Sequence, residues 1–337
     1  MDSIPLGKLP PDLLKMVLKR APVSDPRLVL GPGIGLDCAV LAFEKTCLVF
    51  KSDPITFASD EIGWYVVQIN ANDIATTGAI PRWFLMTLLL PEGLTNPKMV
   101  ESISEQVFAA CRTLSISVIG GHTEITHDLD RPIIAGTMIG EVTRDKLITP
   151  KGASPGDRIL LTKGVPIEGT AILGREFPSQ LGTVLSPDEI QTAADYLYTP
   201  GISVVRDAQV AVAAGGVTAM HDPTEGGLAG ALWELAEACG HSLVIDPEAV
   251  IIPPIAQKIC IELEIDPMWT IASGALLLTS PQDESPMICR SLESEGIPCA
   301  EIGSIESGPP QVLQKTNIGA VLLPRPSRDE IARLFEV

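Results

Sequence analysis

Apolar and polar positions alternate along this chain in a way that separates short strands from amphipathic helices. The most legible helix is the stretch Asp60–Pro81, where Ile62, Val66, Ile69 and Ile74 fall on one apolar face. Ser59 or Asp60 supplies the cap at its start, Gly78 closes it in a left-handed turn, and Pro81 forbids its continuation. Asp73 lies on that same face, with Asn70 and Thr77 beside it. An ionised carboxylate on a core-facing stripe is costly unless a cation or several donors meet it. Asp73 is therefore either a buried capping residue or part of a metal or phosphate–metal site.

Apolar runs and breakers organise the rest. Pro10-Pro11 introduces a short helix over Leu13–Leu18. A glycine-rich turn, Gly31-Pro32-Gly33-Ile34-Gly35, feeds a strand around Ala39–Leu41, with Asp37 at the junction. Thr46–Phe50 reads as a buried strand that delivers Lys51-Ser52-Asp53-Pro54 at its end. After the central helix come a strand at Trp83–Leu90, a helix at Met99–Thr113 and a strand at Ile133–Ile139. A short strand, Ile116–Ile119, runs into a Gly120-Gly121-His122-Thr123-Glu124 loop. The Pro/Gly-rich break at Pro150–Gly156 predicts two domains, 1–150 and 151–337. In the second half, strands are expected at Arg158–Leu161, Val217–Met220, Ala275–Leu278 and Ala320–Leu323. Helices are expected at Val204–Ala214, Leu228–Cys239, Met287–Glu295 and Ser327–Phe335, with a glycine-containing turn at Gly164–Gly169 opening another. Mixed strands and helices in both halves predict an α/β or α+β class.

Composition narrows the function classes. Only 4% of residues are aromatic against 45% apolar overall, so the cores rest on Val, Ile, Leu and Ala. A formal net charge of −18 argues against nucleic acid or an anionic membrane as partner. An anionic small molecule is still allowed, because a divalent cation reverses the local field. Seven cysteines without a CxxC pair suit buried thiols in a reducing cytoplasm. No signal peptide or membrane span is expected, and the reading is a cytoplasmic protein.

Asp37, Asp53, Asp73 and Asp222 each stand at the edge of an apolar element beside a turn, where α/β folds place ligands. Each alone reads as a turn or cap residue. Together with glycine-rich turns at 31–35, 120–121 and 226–227, they favour a Mg²⁺–phosphate site. Neither a Walker A loop nor GxGxxG before a helix is present, which argues against a P-loop kinase or a Rossmann dehydrogenase.

Gly35-Leu36-Asp37-Cys38-Ala39-Val40-Leu41 resembles the GDDAAVL turn, and Ser52-Asp53-Pro54 its TD partner. Asn72–Pro81 resembles an NDLAxxGAxP helix end, and Gly120-Gly121-His122-Thr123 a GGDT or GGHS loop. Asp222–Ala229 is similar to a DPTRGGLA segment, and Ser273–Leu277 to a later core strand. In this order, from about Gly31 onward, these motifs resemble the aminoimidazole ribonucleotide (AIR) synthetase superfamily, and within it the hydrogenase maturation factors of HypE type. The resemblance implies a two-domain fold: an N-terminal α/β domain that forms a homodimer through its sheet, and a C-terminal α+β domain. It implies ATP and Mg²⁺ as cofactors in the cleft, with Asp37, Asp53, Asp73, Glu124 and Asp222 as metal or phosphate ligands and Asn72 orienting them. Gly120, Gly121, His122 and Thr123 would line a phosphate loop, and Lys8 would join Asp73 as a catalytic residue.

The implied activity is ATP-dependent activation of an amide- or carboxylate-type oxygen, on a small molecule or a protein-borne group, in hydrogenase maturation. Two rivals stand beside it: a small-molecule kinase resembling thiamin-monophosphate kinase, and a nucleotide-binding assembly partner without turnover. Three departures stand out, and of these the missing carboxylate at Leu36 and the missing terminal cysteine support the assembly partner. Leu36 replaces the first Asp of GDDAA, His122 replaces the Asp of GGDT, and Ala332–Val337 holds no counterpart of the terminal cysteine of HypE.

Overall fold

The computed structural model describes residues 4, 9–33, 35–55 and 60–335. They divide into two compact units. The N-terminal unit holds Val23–Pro32 and Asp37–Leu147; the C-terminal unit runs from Ile148 onward and also takes in the described residues up to Pro22 and residues 33, 35 and 36. Helix α1 (Pro11–Leu18), with Pro11 in its first turn, thus groups with the later unit. Among the described residues no helix is long and apolar enough to cross a membrane.

The N-terminal unit is a six-stranded sheet in the order β1-β2-β3-β6-β4-β5. Its strands are β1 (Leu28–Leu30), β2 (Ala39–Phe43), β3 (Thr46–Ile55), β4 (Ile80–Pro91), β5 (Ser117–Thr126) and β6 (Ile133–Thr143). All neighbours are antiparallel except β4 and β5. Helices α2 (Ile62–Thr76) and α3 (Pro97–Thr113) pack on one face. β3 does not stop at Phe50: it continues through Lys51 and Asp53, because β6 pairs with it as far as Ile55↔Ile134. Lys51 and Asp53 are therefore strand residues rather than loop residues.

The central helix departs from its expected cap. Glu61, in a left-handed conformation, stands at the N-cap of α2 and makes no side-chain capping bond. Gln106 of α3 instead accepts the Gly63 N–H at 3.0 Å, so a neighbouring helix satisfies one orphan donor of the first turn. A Cβ on Gly63 would lie 2.5 Å from the Ile103 carbonyl, which is why the two helices can approach so closely. α2 is buried on nearly all sides, not on one stripe. Gly78 does take the left-handed turn (φ 75°) that ends it.

The C-terminal unit carries a seven-stranded sheet in the order β13-β12-β9-β11-β7-β10-β8. In chain order its elements are β7 (Arg158–Thr162), α4 (Ile167–Glu176), α5 (Pro178–Leu181), α6 (Pro187–Ala194), α7 (Val205–Ala214), β8 (Ala219–His221) and α8 (Gly227–Cys239). Then follow β9 (Ser242–Ile245), α9 (Pro254–Glu262), β10 (Leu277–Ser280), α10 (Ser285–Ser294), β11 (Cys299–Glu306), β12 (Gln311–Thr316) and β13 (Gly319–Leu322). Leu228, Leu232 and Leu235 of α8 share one apolar core with Ile159 and Leu161 of β7, Leu243 of β9 and Ile302 of β11. The expected last helix is shorter and tighter, a 3₁₀ segment over Glu330–Phe335. Ile331 and Ala332 are buried, and Phe335 meets Phe177 edge-on at 5.3 Å between ring centroids.

Candidate functional site

The sequence-derived aspartates fall in both units, and each unit is built differently around them. In the N-terminal unit, alternate residues of β3 face α2: Cys47 and Val49 are buried there, and Lys51 and Asp53 continue that side of the strand. The Lys51 Nζ lies 3.0 Å from Asp53 Oδ2 and 3.1 Å from Asp73 Oδ2, with the lysine side chain 11% and the Asp73 side chain 3% exposed. Burial works against the ammonium. Asp73, Asp37 and Asp53 outweigh that penalty and hold the Lys51 pKa well above the ordinary lysine value. The cation that a core-facing Asp73 requires is therefore supplied by the chain itself.

Asn70 fixes this arrangement from the side. Its Oδ1 accepts the Asp53 N–H at 2.9 Å, while its Nδ2 donates to Asp53 O at 3.3 Å and to Val66 O at 2.8 Å. One amide side chain thus pairs with the Asp53 backbone as a neighbouring strand would. Gly136 leaves room for it, since a Cβ there would lie 2.7 Å from Asn70 Nδ2. The Asp73 carbonyl accepts from the Thr76 hydroxyl at 2.7 Å and from the Cys38 thiol at 3.2 Å. Asn72, the residue expected to orient the ligands, is fully buried. The positioning contacts to Asp53 come from Asn70.

Whether a metal fits depends on which aspartate is meant. Carboxylate oxygens are the donors Mg²⁺ prefers, at about 2.0–2.1 Å. An ion bound directly to Asp53 Oδ2 and Asp73 Oδ2 together would need the place that the Lys51 ammonium fills. This pair does not fit a shared divalent ion.

In the C-terminal unit, β8 ends at His221 and Asp222 follows it, both buried. The His221 ring contacts Glu234 of α8, Nε2 to Oε2, at 2.9 Å. α8 starts on two left-handed glycines, Gly226 (φ 87°) and Gly227 (φ 63°). The Gly226 N–H donates to Asp329 Oδ2 at 2.6 Å, so a carboxylate from the last segment sits at the positive end of α8. Burial pushes the Asp329 carboxyl up to about 6, against the N–H donors of Gly226, Ile331 and Ile271 that pull it down. Glu168, in the first turn of α4, is pushed up to about 7 by burial; hydrogen bonds from Ser273 lower it, and Asp329 and Asp222 raise it further.

The expected phosphate loop is not a loop. Gly120, Gly121, His122, Thr123 and Glu124 lie inside β5, an exposed edge strand paired with β4 from Trp83↔Ser117 to Pro91↔Thr126. Gly121 has a packing reason to be glycine, since a Cβ would lie 2.1 Å from the Met86 carbonyl. His122 Nε2 and Glu124 Oε2 are 3.0 Å apart on the exposed strand. Lys8 lies outside the described residues.

Sequence reasoning named Asp37, Asp53, Asp73 and Asp222 but missed Lys51, Glu168 and Asp329, and passed over Asn70 as a positioning residue. One signal for Lys51 was available: it is two residues from Asp53, hence on the same side of a strand. Nothing local marks Asp329, which meets Gly226 across 103 residues of chain.

Two family models cover most of the chain: the AIR synthase related protein N-terminal domain over residues 35–142, and the C-terminal domain over 154–315. The chain belongs to the AIR synthase related protein family. It is similar to a protein of Methanocaldococcus jannaschii whose name assigns it provisionally to hydrogenase expression/formation, 28% identical across 97% of each chain. It is also similar to the carbamoyl dehydratase HypE of Escherichia coli, 28% identical over 80% of this chain and 79% of that one. The hydrogenase maturation protein HypE solved in complex with ATP has the same fold, with a TM-score of 0.70, 24% identity, and coverage of 93% of this chain and 90% of that chain.

Proposed function

We propose that this chain is an ATP-dependent enzyme of HypE type, which activates an amide- or carboxylate-type oxygen by phosphorylation so that it can be lost in a dehydration. The support is the ordered set of family motifs across both domains, with the Lys51–Asp53–Asp73 cluster at two of them. The relatives named as carbamoyl dehydratases supply the reaction class for this reading. Charge neutralisation and positioning by fixed groups account for most of the catalysis in such transfers.

In this reading Asp37 and Glu124 of the N-terminal unit and Asp222 of the C-terminal unit would be the oxygen donors for Mg²⁺, which would supply charge neutralisation at the phosphates. Gly120, Gly121, His122, Thr123 and Lys8 stay in the proposal as nucleotide contacts carried by motif, and the buried Asn72 as a residue that orients the ligands. The substrate group arrives on a small molecule or on a protein.

A second copy of the chain is part of the same proposal. The sheet face away from α2 and α3 carries Leu48 and Phe50 of β3, Ile133 and Ile139 of β6, and Leu85 and Leu89 of β4, all only half-buried. Beside them, edge strand β5 exposes Val118, Ile119 and Ile125. An apolar face with an open edge is a surface that a copy related by twofold symmetry covers.

The test is calorimetric titration of the full chain with ATP in Mg²⁺, followed by phosphate release with an S-carbamoylated peptide as acceptor. ATP-dependent loss of one water mass from the carbamoyl group is the expected result. Absence of ATP binding would overturn the reading. Binding without phosphate release on any carbamoylated acceptor would reduce the chain to a nucleotide-binding partner.

A further inference from the structure

We propose that Lys51 is a resident cation standing in for a divalent ion at Asp53 and Asp73, so that this carboxylate pair holds an ammonium and takes no metal. The geometry is the first support. Nζ bridges one oxygen of each carboxylate at 3.0 and 3.1 Å, which is the bridging position itself. The second is burial: the ammonium and Asp73 are almost out of solvent, so moving Lys51 away would part a buried carboxylate from this cation. The third is rigidity. Asn70 holds the Asp53 backbone from both sides, and the Asp73 carbonyl is bonded by Thr76 and Cys38. A divalent ion entering between the two oxygens would have to expel a like-charged group from a framework that does not give.

The consequence is a cluster assembled without metal. Lysine places one positive charge where a divalent ion would place two, and it does so at any metal concentration. In this chain the Asp53–Asp73 pair thus sets the field near the end of α2 independently of Mg²⁺. Any metal that accompanies a nucleotide is held by other donors.

The probe is Mn²⁺ alone, followed by electron paramagnetic resonance during titration of the full chain, so the outcome does not depend on whether the chain binds ATP. Wild type and Asp53→Asn are expected to bind the same number of Mn²⁺ ions with the same affinity. Lys51→Met is expected to gain one Mn²⁺ site, which Asp53→Asn in that background removes, while Lys51→Arg behaves as wild type. Lys51→Met leaves two carboxylates without their cation and loses stability. Thermal melting is therefore read on the same samples, and Mn²⁺ is expected to raise the Tm of Lys51→Met more than that of wild type. Loss of a Mn²⁺ site from the wild type on Asp53→Asn would overturn the proposal. So would a Lys51→Met protein that neither gains a site nor is stabilised or refolded by Mn²⁺.

Discussion

Asn70 and Glu168 show how single side chains carry this structure. Asn70 is buried and spends its amide on the backbone of Asp53 and Val66. Asn70→Ala leaves the part-buried N–H and carbonyl of Asp53 without this partner, a change that costs about 1–3 kcal/mol. Urea denaturation should show that loss, and a change below about 0.5 kcal/mol, the usual range for an indifferent surface site, would contradict the role given to Asn70. Glu168 makes stability depend on pH. Its carboxyl titrates near 7 in the folded chain against an ordinary 4.5. A raised carboxyl favours the folded state fully below about pH 4.5, where both states hold the proton, and that contribution is lost as pH rises to about 7. Asp329, raised to about 6 from 3.8, acts in the same direction. Glu168→Gln should flatten the fall in Tm between pH 5 and pH 8 and should be the more stable protein at pH 8, by up to about 3 kcal/mol. Equal pH profiles for the two proteins would show that Glu168 is not protonated as described.

Among the elements, β5 is the one least explained by a single chain. It lies at the edge of the sheet, and Val118, Ile119 and Ile125 are 38%, 53% and 61% exposed. An open edge of ten residues that exposes apolar side chains invites pairing with another chain unless something blunts it. If a second copy covers β5, a charge there disrupts assembly without touching the core. Ile119→Lys is then expected to give a monomer by light scattering at concentrations where the wild type is a dimer, with unchanged circular dichroism. A wild-type chain that scatters as a monomer at micromolar concentration would remove this account of β5. The glycine pair inside the strand is the counterpoint: Gly121 is demanded by the Met86 carbonyl of β4, whatever else the strand does.

For the whole molecule, chain order and unit membership do not coincide. The N-terminal unit is nearly one continuous block from Asp37 to Leu147, while the C-terminal unit also takes residues from before that block. Gly35 shows how closely those residues are joined to it, since a Cβ there would lie 2.7 Å from the Glu234 carbonyl of α8. Cutting the chain at Ile148 is therefore expected to be asymmetric. A fragment of residues 23–147 keeps its whole sheet and should fold. A fragment from Ile148 onward loses its cover on α8 and should melt at lower temperature than the same unit in the full chain. Separate melting curves for the two fragments and the intact chain test this, and an unshifted transition for the second fragment would contradict it.

Local sequence determined much of the scaffold. Periodicity found α2, α3 and α8 because each repeats apolar residues at helical spacing, and Gly78 and Gly240 ended two of them because left-handed turns favour glycine. The aspartates at turns and strand ends were legible for the same reason: a carboxylate beside an apolar run is conspicuous along the chain. What the chain could not reveal locally is who meets whom. The apolar run Thr46–Phe50 marks a strand ending at Phe50, yet β6 carries the pairing on to Ile55. Gly120-Gly121 resembles a family loop, yet the pair lies inside β5 against β4, which leaves no room for a side chain at Gly121. From sequence, Asp73 on its apolar face needs either a cation or several hydrogen-bond donors. Only the tertiary structure, by laying β3 against α2 and turning residues 51 and 53 to the same side, decided that the cation is Lys51, because partner choice depends on distances that sequence separation does not encode.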